Sequence, residues 1–275
     1  MEKAESFDFI RDVPQYDLAK LGVGHAKSLR RILVVGLGGG CDVFAAYALA
    51  RQLARSHPRA TMMFANTKSK YRESSKELLG FSKVEDCLWS APSEVVPLTC
   101  DKHGTTLERS CPRGPEGSPL LFVLPGCDKD PVQLTQQNVN VVVPALMSMN
   151  VDLVVGVDCG GDSISGGVEG KQNIEAGRDW QMLNCIRVSG IPSVHVVLGP
   201  GCDGETEEPM MRACCARLAA DGSLQGVFSV QPLFDDMVNL CNTKVLHPNR
   251  TPNIMWRAHT GDLPSVTSAG ADCVC

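Results

Sequence analysis

The sequence predicts a doubly wound α/β fold, in which a mostly parallel sheet carries helices on both faces as in Rossmann-like proteins. Short runs of apolar, β-branched residues alternate along the chain with segments of helical character, and this alternation is typical of a parallel sheet covered by helices. The run at residues 151–157 is apolar apart from Asp152, which indicates a central strand buried on both faces.

One α/β domain is predicted over residues 29–250, after a lead-in at 1–28 and before a C-terminal tail at 251–275. The predicted strands lie at residues 31–35, 60–65, 120–124, 151–157, 193–198 and 225–230. The predicted helices lie at residues 43–56, 71–79, 131–150, 174–188, 207–220 and 234–240. Residues 82–118 mix proline, glycine, cysteine and charge, so we expect an irregular excursion there with one short strand at 95–98.

Local signals mark the ends of several helices. Asp42 is the expected N-cap of the first helix, and His57-Pro58 marks its end. Pro144 lies inside the helix predicted at 131–150. Because proline removes a backbone donor and clashes with the preceding turn, we expect that helix to be kinked or split there.

The charge of the chain indicates which kinds of molecule it binds. The formal net charge is −5, and no basic block or basic stripe with interspersed aromatic residues occurs. This charge argues against a nucleic-acid partner and against an anionic membrane surface. We therefore expect a small-molecule ligand, no nucleic acid and no membrane partner, and the sequence leaves homo-oligomerisation open.

The thirteen cysteines are interpreted as free thiols in a reducing compartment. Their number is odd, and several lie within apolar or helical runs, among them Cys185, Cys214 and Cys215. A disulfide framework is typical of much shorter secreted chains. The first residues are polar and no run has the length of a membrane span, so a cytoplasmic protein is expected.

Four predicted strands end in similar turns, at Cys41-Asp42, Cys127-Asp128, Asp158-Cys159 and Cys202-Asp203, each next to glycine. In a parallel sheet these ends share one edge, where ligands bind in α/β folds. Each aspartate taken alone is better explained as a helix cap or turn residue. The recurrence of all four favours a shared ligand crevice.

The turn after the 151–157 strand is the strongest candidate site. The residues predicted to act there are Asp158, Gly160, Gly161, Asp162, Ser163 and Glu169. Buried acids need a cation or hydrogen-bond donors beside them, and carboxylate oxygens suit Mg²⁺ or Mn²⁺. We therefore expect Asp158 and Asp162 to ligate a divalent cation, with Asp42 or Glu169 as a further candidate ligand. We expect Asp158, Asp162 and Glu169 to be catalytic.

The turn after the first strand is predicted to bind an anionic group. Its glycines are Gly36, Gly38, Gly39 and Gly40. Backbone N–H groups of such a loop, at the start of a helix, can cradle phosphate. It is not a complete dinucleotide fingerprint, because Cys41 stands where glycine or alanine is required.

An NADP site is the alternative for the same loop. No acid follows the second predicted strand to hold a ribose hydroxyl, but Lys68, Lys70 and Arg72 would meet a ribose 2′-phosphate. The competing interpretation of these three basic residues is that they lie in the solvent-exposed first turn of the next helix.

Other candidates carry weaker signals. Cys41, Cys127, Cys159 and Cys202 lack the paired spacing of a zinc site and are expected to pack at turns. His195 lies within an apolar strand and is expected to be a satisfied core histidine, whereas His259 is a weak acid–base candidate among polar residues. Ser163 lacks the Gly-x-Ser-x-Gly pattern of a nucleophile elbow.

Two motifs resemble a known family. The segments Gly36-Leu-Gly-Gly-Gly-Cys-Asp42 and Val155-Gly-Val-Asp158-Cys-Gly-Gly-Asp162-Ser163, with Glu169, are similar to the domain of unknown function 1152 family. The likeness extends over residues 31–230. Its members are largely archaeal and have no established activity, so the resemblance implies an α/β fold and functional glycine–aspartate loops but no reaction.

The function predicted from these features is an enzyme acting on a small phosphorylated or nucleotide-like molecule at the Gly/Asp-rich crevice. A divalent cation would assist a hydrolase or transferase reaction as a Lewis acid or by activating water. Two alternatives stay open, an NADP-dependent oxidoreductase and a non-catalytic small-molecule-binding protein.

Overall fold

The structure is a computed structural model. It describes residues 13–21, 29–69, 78, 80–96, 106–113, 117–125, 131–165, 174–202, 206–241, 250–260, 267–268 and 271–272.

The centre of the fold is a seven-stranded sheet. Its strands are β1 (Arg31–Gly36), β2 (Thr61–Ser69), β3 (Ser82–Lys83), β4 (Leu88–Ser90), β5 (Leu120–Leu124), β6 (Leu153–Cys159) and β7 (Ser193–Leu198). They lie in the order β3-β4-β5-β2-β1-β6-β7. Strands β5, β2, β1, β6 and β7 pair in parallel, and β4 and β3 extend one edge in antiparallel pairing.

Helices surround the sheet. In chain order the α-helices are α1 (Asp42–Ser56), α2 (Thr106–Ser110), α3 (Pro131–Ser148), α4 (Asp162–Ser165), α5 (Ile174–Ser189), α6 (Glu208–Ala220), α7 (Gln231–Cys241) and α8 (Thr251–Thr260). A short 3-10 helix, Leu18–Lys20, precedes the sheet, and the two-residue strands β8 (Thr267–Ser268) and β9 (Ala271–Asp272) pair antiparallel.

Alternate residues of the central strands pack into two hydrophobic cores, one on each face of the sheet. On one face, Ile32 and Val34 of β1 pack with residues of α1, α7 and α8. On the other, Leu33 and Val35 pack with residues of α3 and α5. Strand β6, paired with β1 and β7, is buried along its whole length. These layers confirm the doubly wound α/β prediction.

The strand order places two of the predicted turns side by side. The chain passes from β1 to β2 on one side, and β6 lies on the other side of β1. The carboxyl ends of β1 and β6 therefore flank the point where the strand order reverses, which is where doubly wound folds form a ligand crevice.

Two sequence predictions are wrong. Residues 225–230 form no strand, and Val227 makes only an isolated bridge with Gln15 of the N-terminal segment. Residues 251–260, assigned to a tail, form α8, whose Ile254 and Met255 are buried in the core. Of the two alternatives predicted at Pro144, a kink or a split, the split is excluded, because α3 is one helix from Pro131 to Ser148.

The predicted excursion at 82–118 contributes to the sheet. The antiparallel strands β3 and β4 lie inside it, and β4 pairs with β5. The predicted strand at 95–98 is absent at residues 95–96, and its other two residues lie outside the described part. The predicted helix at 71–79 falls almost wholly on residues that the structure does not describe. Among the described residues, none of the helices has the length and apolar character to cross a bilayer.

Two of the buried thiols are expected to react slowly in the folded protein. Cys87 and Cys185 are both free and buried, and burial raises the pKa of each thiol to about 12. Since the thiolate is the reactive form, iodoacetamide should label these two only after denaturation. Peptide mass spectrometry of native and denatured protein, both without reductant, measures this, and native labelling or a disulfide at either position would contradict it.

Candidate metal centre

Three buried carboxylates converge at the crevice between β1 and β6. Asp42, Asp158 and Asp179 each offer an oxygen, and these oxygens lie within 4.8 Å of one another. The exposed fractions of the residues are 5%, 1% and 2%. Asp42 begins α1, Asp158 lies at the end of β6, and Asp179 lies in α5. Three separate elements therefore bring negative charge to one enclosed point.

Asp42 links the first glycine turn, residues 36–40 after β1, to the end of β6 through two hydrogen bonds. Its Oδ2 accepts a hydrogen bond from the Gly38 N–H at 2.8 Å, and its Oδ1 accepts one from the Cys159 N–H at 3.4 Å. These bonds position the carboxylate. The prediction that Asp42 caps α1 is wrong, because the helix begins at Asp42, its N-cap is Cys41, and no side chain in the described part of the chain caps it. The Asp42 carboxylate accepts from the glycine turn and from β6 instead.

Asp158 is held by Ser163, which follows the Gly160-Gly161 turn after β6. Its Oδ2 accepts the backbone N–H of Ser163 at 3.2 Å and also the Ser163 hydroxyl. The same Oγ lies 2.9 Å from Nε2 of His195. His195 stands opposite Gly156 in the pairing of β6 with β7. The predicted core histidine thus has a polar partner, and that partner belongs to the candidate site.

Asp179 is the site residue that sequence reasoning missed. It lies three and seven residues before Met182 and Ile186, which are buried in the core beneath α5. This spacing places an acid on the apolar face of a helix, and that misplaced charge is the signal that would have found it.

The Asp179 carboxylate is incompletely satisfied. Its buried Oδ1 has no hydrogen-bond partner in the described part of the chain. The neighbouring cation is Arg178, whose Nε lies 3.9 Å away, too far for a hydrogen bond. A buried polar oxygen without a partner is costly, so this atom is positioned to receive a ligand.

Burial and mutual repulsion both act on the cluster. Desolvation, followed by the charge of Asp158, raises the pKa of Asp42 and of Asp179 well above the usual range of a carboxyl. The Arg178 guanidinium opposes the shift at both residues. Asp162, only 5% exposed, raises both pKa values as well, although it is not one of the three converging carboxylates.

The first glycine turn is pressed between β2 and α5. A Cβ at Gly39 would lie 2.5 Å from the Thr67 carbonyl oxygen and 3.4 Å from Cζ of Arg178. Gly39 and Gly40 have φ of 81° and 56°, a backbone region that favours glycine. The Thr67 hydroxyl donates to the Gly36 carbonyl at 2.7 Å. The guanidinium of Arg178 therefore lies directly beside the turn predicted to bind an anion.

The remaining predicted residues divide into three groups. Gly160 and Gly161 follow β6 directly, and Ser163 lies in α4 and donates to the Asp158 carboxylate. Glu169, Asp128 and Asp203, together with Lys70 and Arg72, lie outside the described residues. His259 is exposed on α8, with its ring 4.6 Å from that of Phe234.

The predicted packing role of the cysteines agrees with their surroundings. Cys41, Cys159 and Cys202 are buried, and burial raises the pKa of Cys159 well above the usual thiol range. Cys127 lies outside the described residues. Within the residues that the structure describes, the three carboxylates are the only group of three or more side chains arranged to hold a metal.

Comparison with known proteins gives one match. Residues 130–251, a little under half of the chain, match the model of a family described as a protein of unknown function (DUF1152). This range includes Asp158, Asp179 and His195, and the first glycine turn with Asp42 lies outside it. The match confirms the family resemblance predicted from the motifs. No curated protein and no solved structure matches the chain.

Proposed function

We propose that the protein is a divalent-cation-dependent enzyme acting on a small phosphorylated or nucleotide-like molecule. The cation would be held by Asp42, Asp158 and Asp179. The observation that carries this proposal is the convergence of three buried carboxylate oxygens within 4.8 Å of one another. Carboxylate oxygens are the ligands that Mg²⁺ and Mn²⁺ prefer.

A purely structural cluster would share protons among the carboxylates. A shared proton requires a hydrogen bond between two of them, and no such bond joins the three in the described residues. Both oxygens of Asp42 already accept backbone N–H groups. Without a cation, burial and mutual repulsion raise the pKa of Asp42 and of Asp179 and so favour their protonated forms. A divalent cation would favour the ionised forms of all three carboxylates. These features favour a cation over shared protons.

The substrate class is inferred from the turn beside Arg178. The Nε atom of Arg178 is buried and makes no hydrogen bond within the described residues. The Arg178 guanidinium lies against Gly39. Guanidinium groups and glycine amides both bind phosphate oxygens. The cation would then polarise the phosphoryl group or activate water.

Cation binding is tested directly by calorimetry. After removal of metals with a chelator, the wild type should bind Mn²⁺ with one cation per chain, and Asp179→Asn should bind it at least about tenfold more weakly, because about 1.4 kcal/mol of lost interaction has that effect. Asp221→Asn is the matched control, since Asp221 is exposed in a turn after α6. Failure of the wild type to bind Mn²⁺ or Mg²⁺ at millimolar concentration would overturn the proposal.

The NADP alternative has one observation in its favour. Lys68 lies within β2 and is only 7% exposed, so it does not belong to a solvated helix start. We nevertheless expect no binding of NADPH at millimolar concentration, since the cluster near the turn is acidic. Quenching of tryptophan fluorescence on titration with NADPH measures this. Saturable binding that Lys68→Ala weakens would favour the oxidoreductase instead.

A further inference from the structure

A hydroxyl, an imidazole and a carboxylate form a chain beside the cation centre. Ser163 Oγ lies 2.9 Å from His195 Nε2 and also contacts Asp158 Oδ2. The cation centre as proposed uses only the carboxylate of this chain. A serine hydroxyl within hydrogen-bond reach of an imidazole is the arrangement of an activated nucleophile.

The turn that carries Ser163 is held rigidly. The Gly160 N–H donates to the Leu198 carbonyl at 3.0 Å, and the Gly160 carbonyl accepts the Gly201 N–H at 2.5 Å. Gly160 and Gly161 have φ of 115° and 96°, and a Cβ on Gly161 would lie 3.0 Å from side-chain atoms of Val197 and Met211. The turn between β6 and α4 is thus fastened to the end of β7, which is the strand that carries His195.

The surroundings of His195 suit a proton acceptor. Desolvation lowers the pKa of its imidazole, against the opposite effect of the Asp158 charge, and this favours the neutral ring. The Ser163 hydroxyl has one proton, for which Asp158 and His195 compete. The hydroxyl can turn from one to the other by rotation about its C–O bond.

We propose that Ser163 is the catalytic nucleophile of this site and that His195 accepts its proton. This inference rests on the proposed function only for the substrate class. Ser163 Oγ would form a bond to the phosphorus while the bond from phosphorus to the leaving oxygen breaks, and that oxygen keeps the electron pair. The Ser163 proton passes to Nε2 and then to the leaving oxygen. Water, deprotonated by the same nitrogen, then attacks the phosphorus of the phosphoserine. The P–Oγ bond breaks with its electron pair on Oγ, Nε2 returns the proton to Oγ, and phosphate is released.

The experiment uses phenylmethanesulfonyl fluoride, which modifies activated serines without any cation. Oγ would bond to sulfur, fluoride would leave with the S–F electron pair, and His195 would take the proton. We expect one modified site per folded chain, located at Ser163 by peptide mass spectrometry. Ser163→Ala should abolish the modification, and His195→Gln should slow it by about 10²-fold or more, the usual contribution of a general base. Ser223→Ala, in an exposed turn, should react like the wild type.

The outcomes separate this proposal from the cation centre. No modification of the folded wild type, modification at another residue, or an unchanged rate in His195→Gln would overturn the role of Ser163. Calorimetry with Mn²⁺ on the same proteins tests the carboxylates independently, since Ser163→Ala keeps all three. Circular dichroism of each variant shows whether it is folded, and His195→Asn replaces the glutamine variant if that one is not.

Discussion

Replacing Asp158 by asparagine is expected to abolish the rise in melting temperature that Mg²⁺ or Mn²⁺ gives to the wild type. A cation that binds only the folded state stabilises it by mass action, by about 2.7 kcal/mol at a concentration of 100 times Kd. Asp158 is 1% exposed and its carboxylate is one of the three that converge. Without cation, the variant should be as stable as the wild type or slightly more so, since one buried charge is removed from a repelling group.

The measurement is thermal unfolding of wild type and variant, each with chelator and with millimolar cation. If Asp158 serves only to hold the turn through Ser163, the variant should instead lose about 1–3 kcal/mol in both conditions, the cost of a broken buried hydrogen bond. Asp221→Asn is the control, because Asp221 also accepts a backbone N–H, that of Ser223 at 2.8 Å, but at the surface. A wild-type transition indifferent to both cations would exclude the metal centre.

The part of the site that sequence reasoning predicted comes from local signals. Asp42 and Asp158 each follow or end a β-branched apolar run next to glycine, and a parallel sheet must bring such strand ends to one edge. The strand order, which makes β1 and β6 neighbours, cannot be predicted from any short stretch of the sequence. Even so, the edge alone was enough to place the two acids in one crevice.

The part that could not be predicted depends on contacts distant in sequence. Asp179 lies on the apolar face of its helix by spacing alone, but only the packing of α5 on the sheet brings that face to the other two carboxylates. The contact between Ser163 and His195 depends on the register of β6 with β7, and a shift by one residue would turn His195 to the opposite face. Helix α8 was missed for a different reason, since ten residues of mixed polarity give a weak local signal.

Gly38→Ala is expected to damage both the fold and the site. A Cβ on Gly38 would lie 2.7 Å from Oδ1 of Asp179 and closer still to Oδ2. Because the carboxylate is enclosed, either the turn or the carboxylate must move, and overpacking of this kind costs about 1–3 kcal/mol. Displacing Asp179 should also weaken Mn²⁺ binding by about tenfold or more, a change that corresponds to about 1.4 kcal/mol. Urea unfolding and calorimetry measure the two effects.

The matched control lies on the same helix as Asp179. A Cβ on Gly177 would meet no atom within 4 Å, so Gly177→Ala should leave cation binding unchanged and stabilise α5 by about 0.5–1 kcal/mol. A double-mutant cycle then isolates the contact itself. In an Asp179→Ala background, Gly38→Ala should cost much less, because the atoms it collides with are gone, and contacting residues typically show coupling of about 0.5–3 kcal/mol. If Gly38→Ala lowers the free energy of unfolding equally in both backgrounds, the Asp179 carboxylate does not lie against the glycine turn. In that case Asp179 would not belong to the group of converging carboxylates.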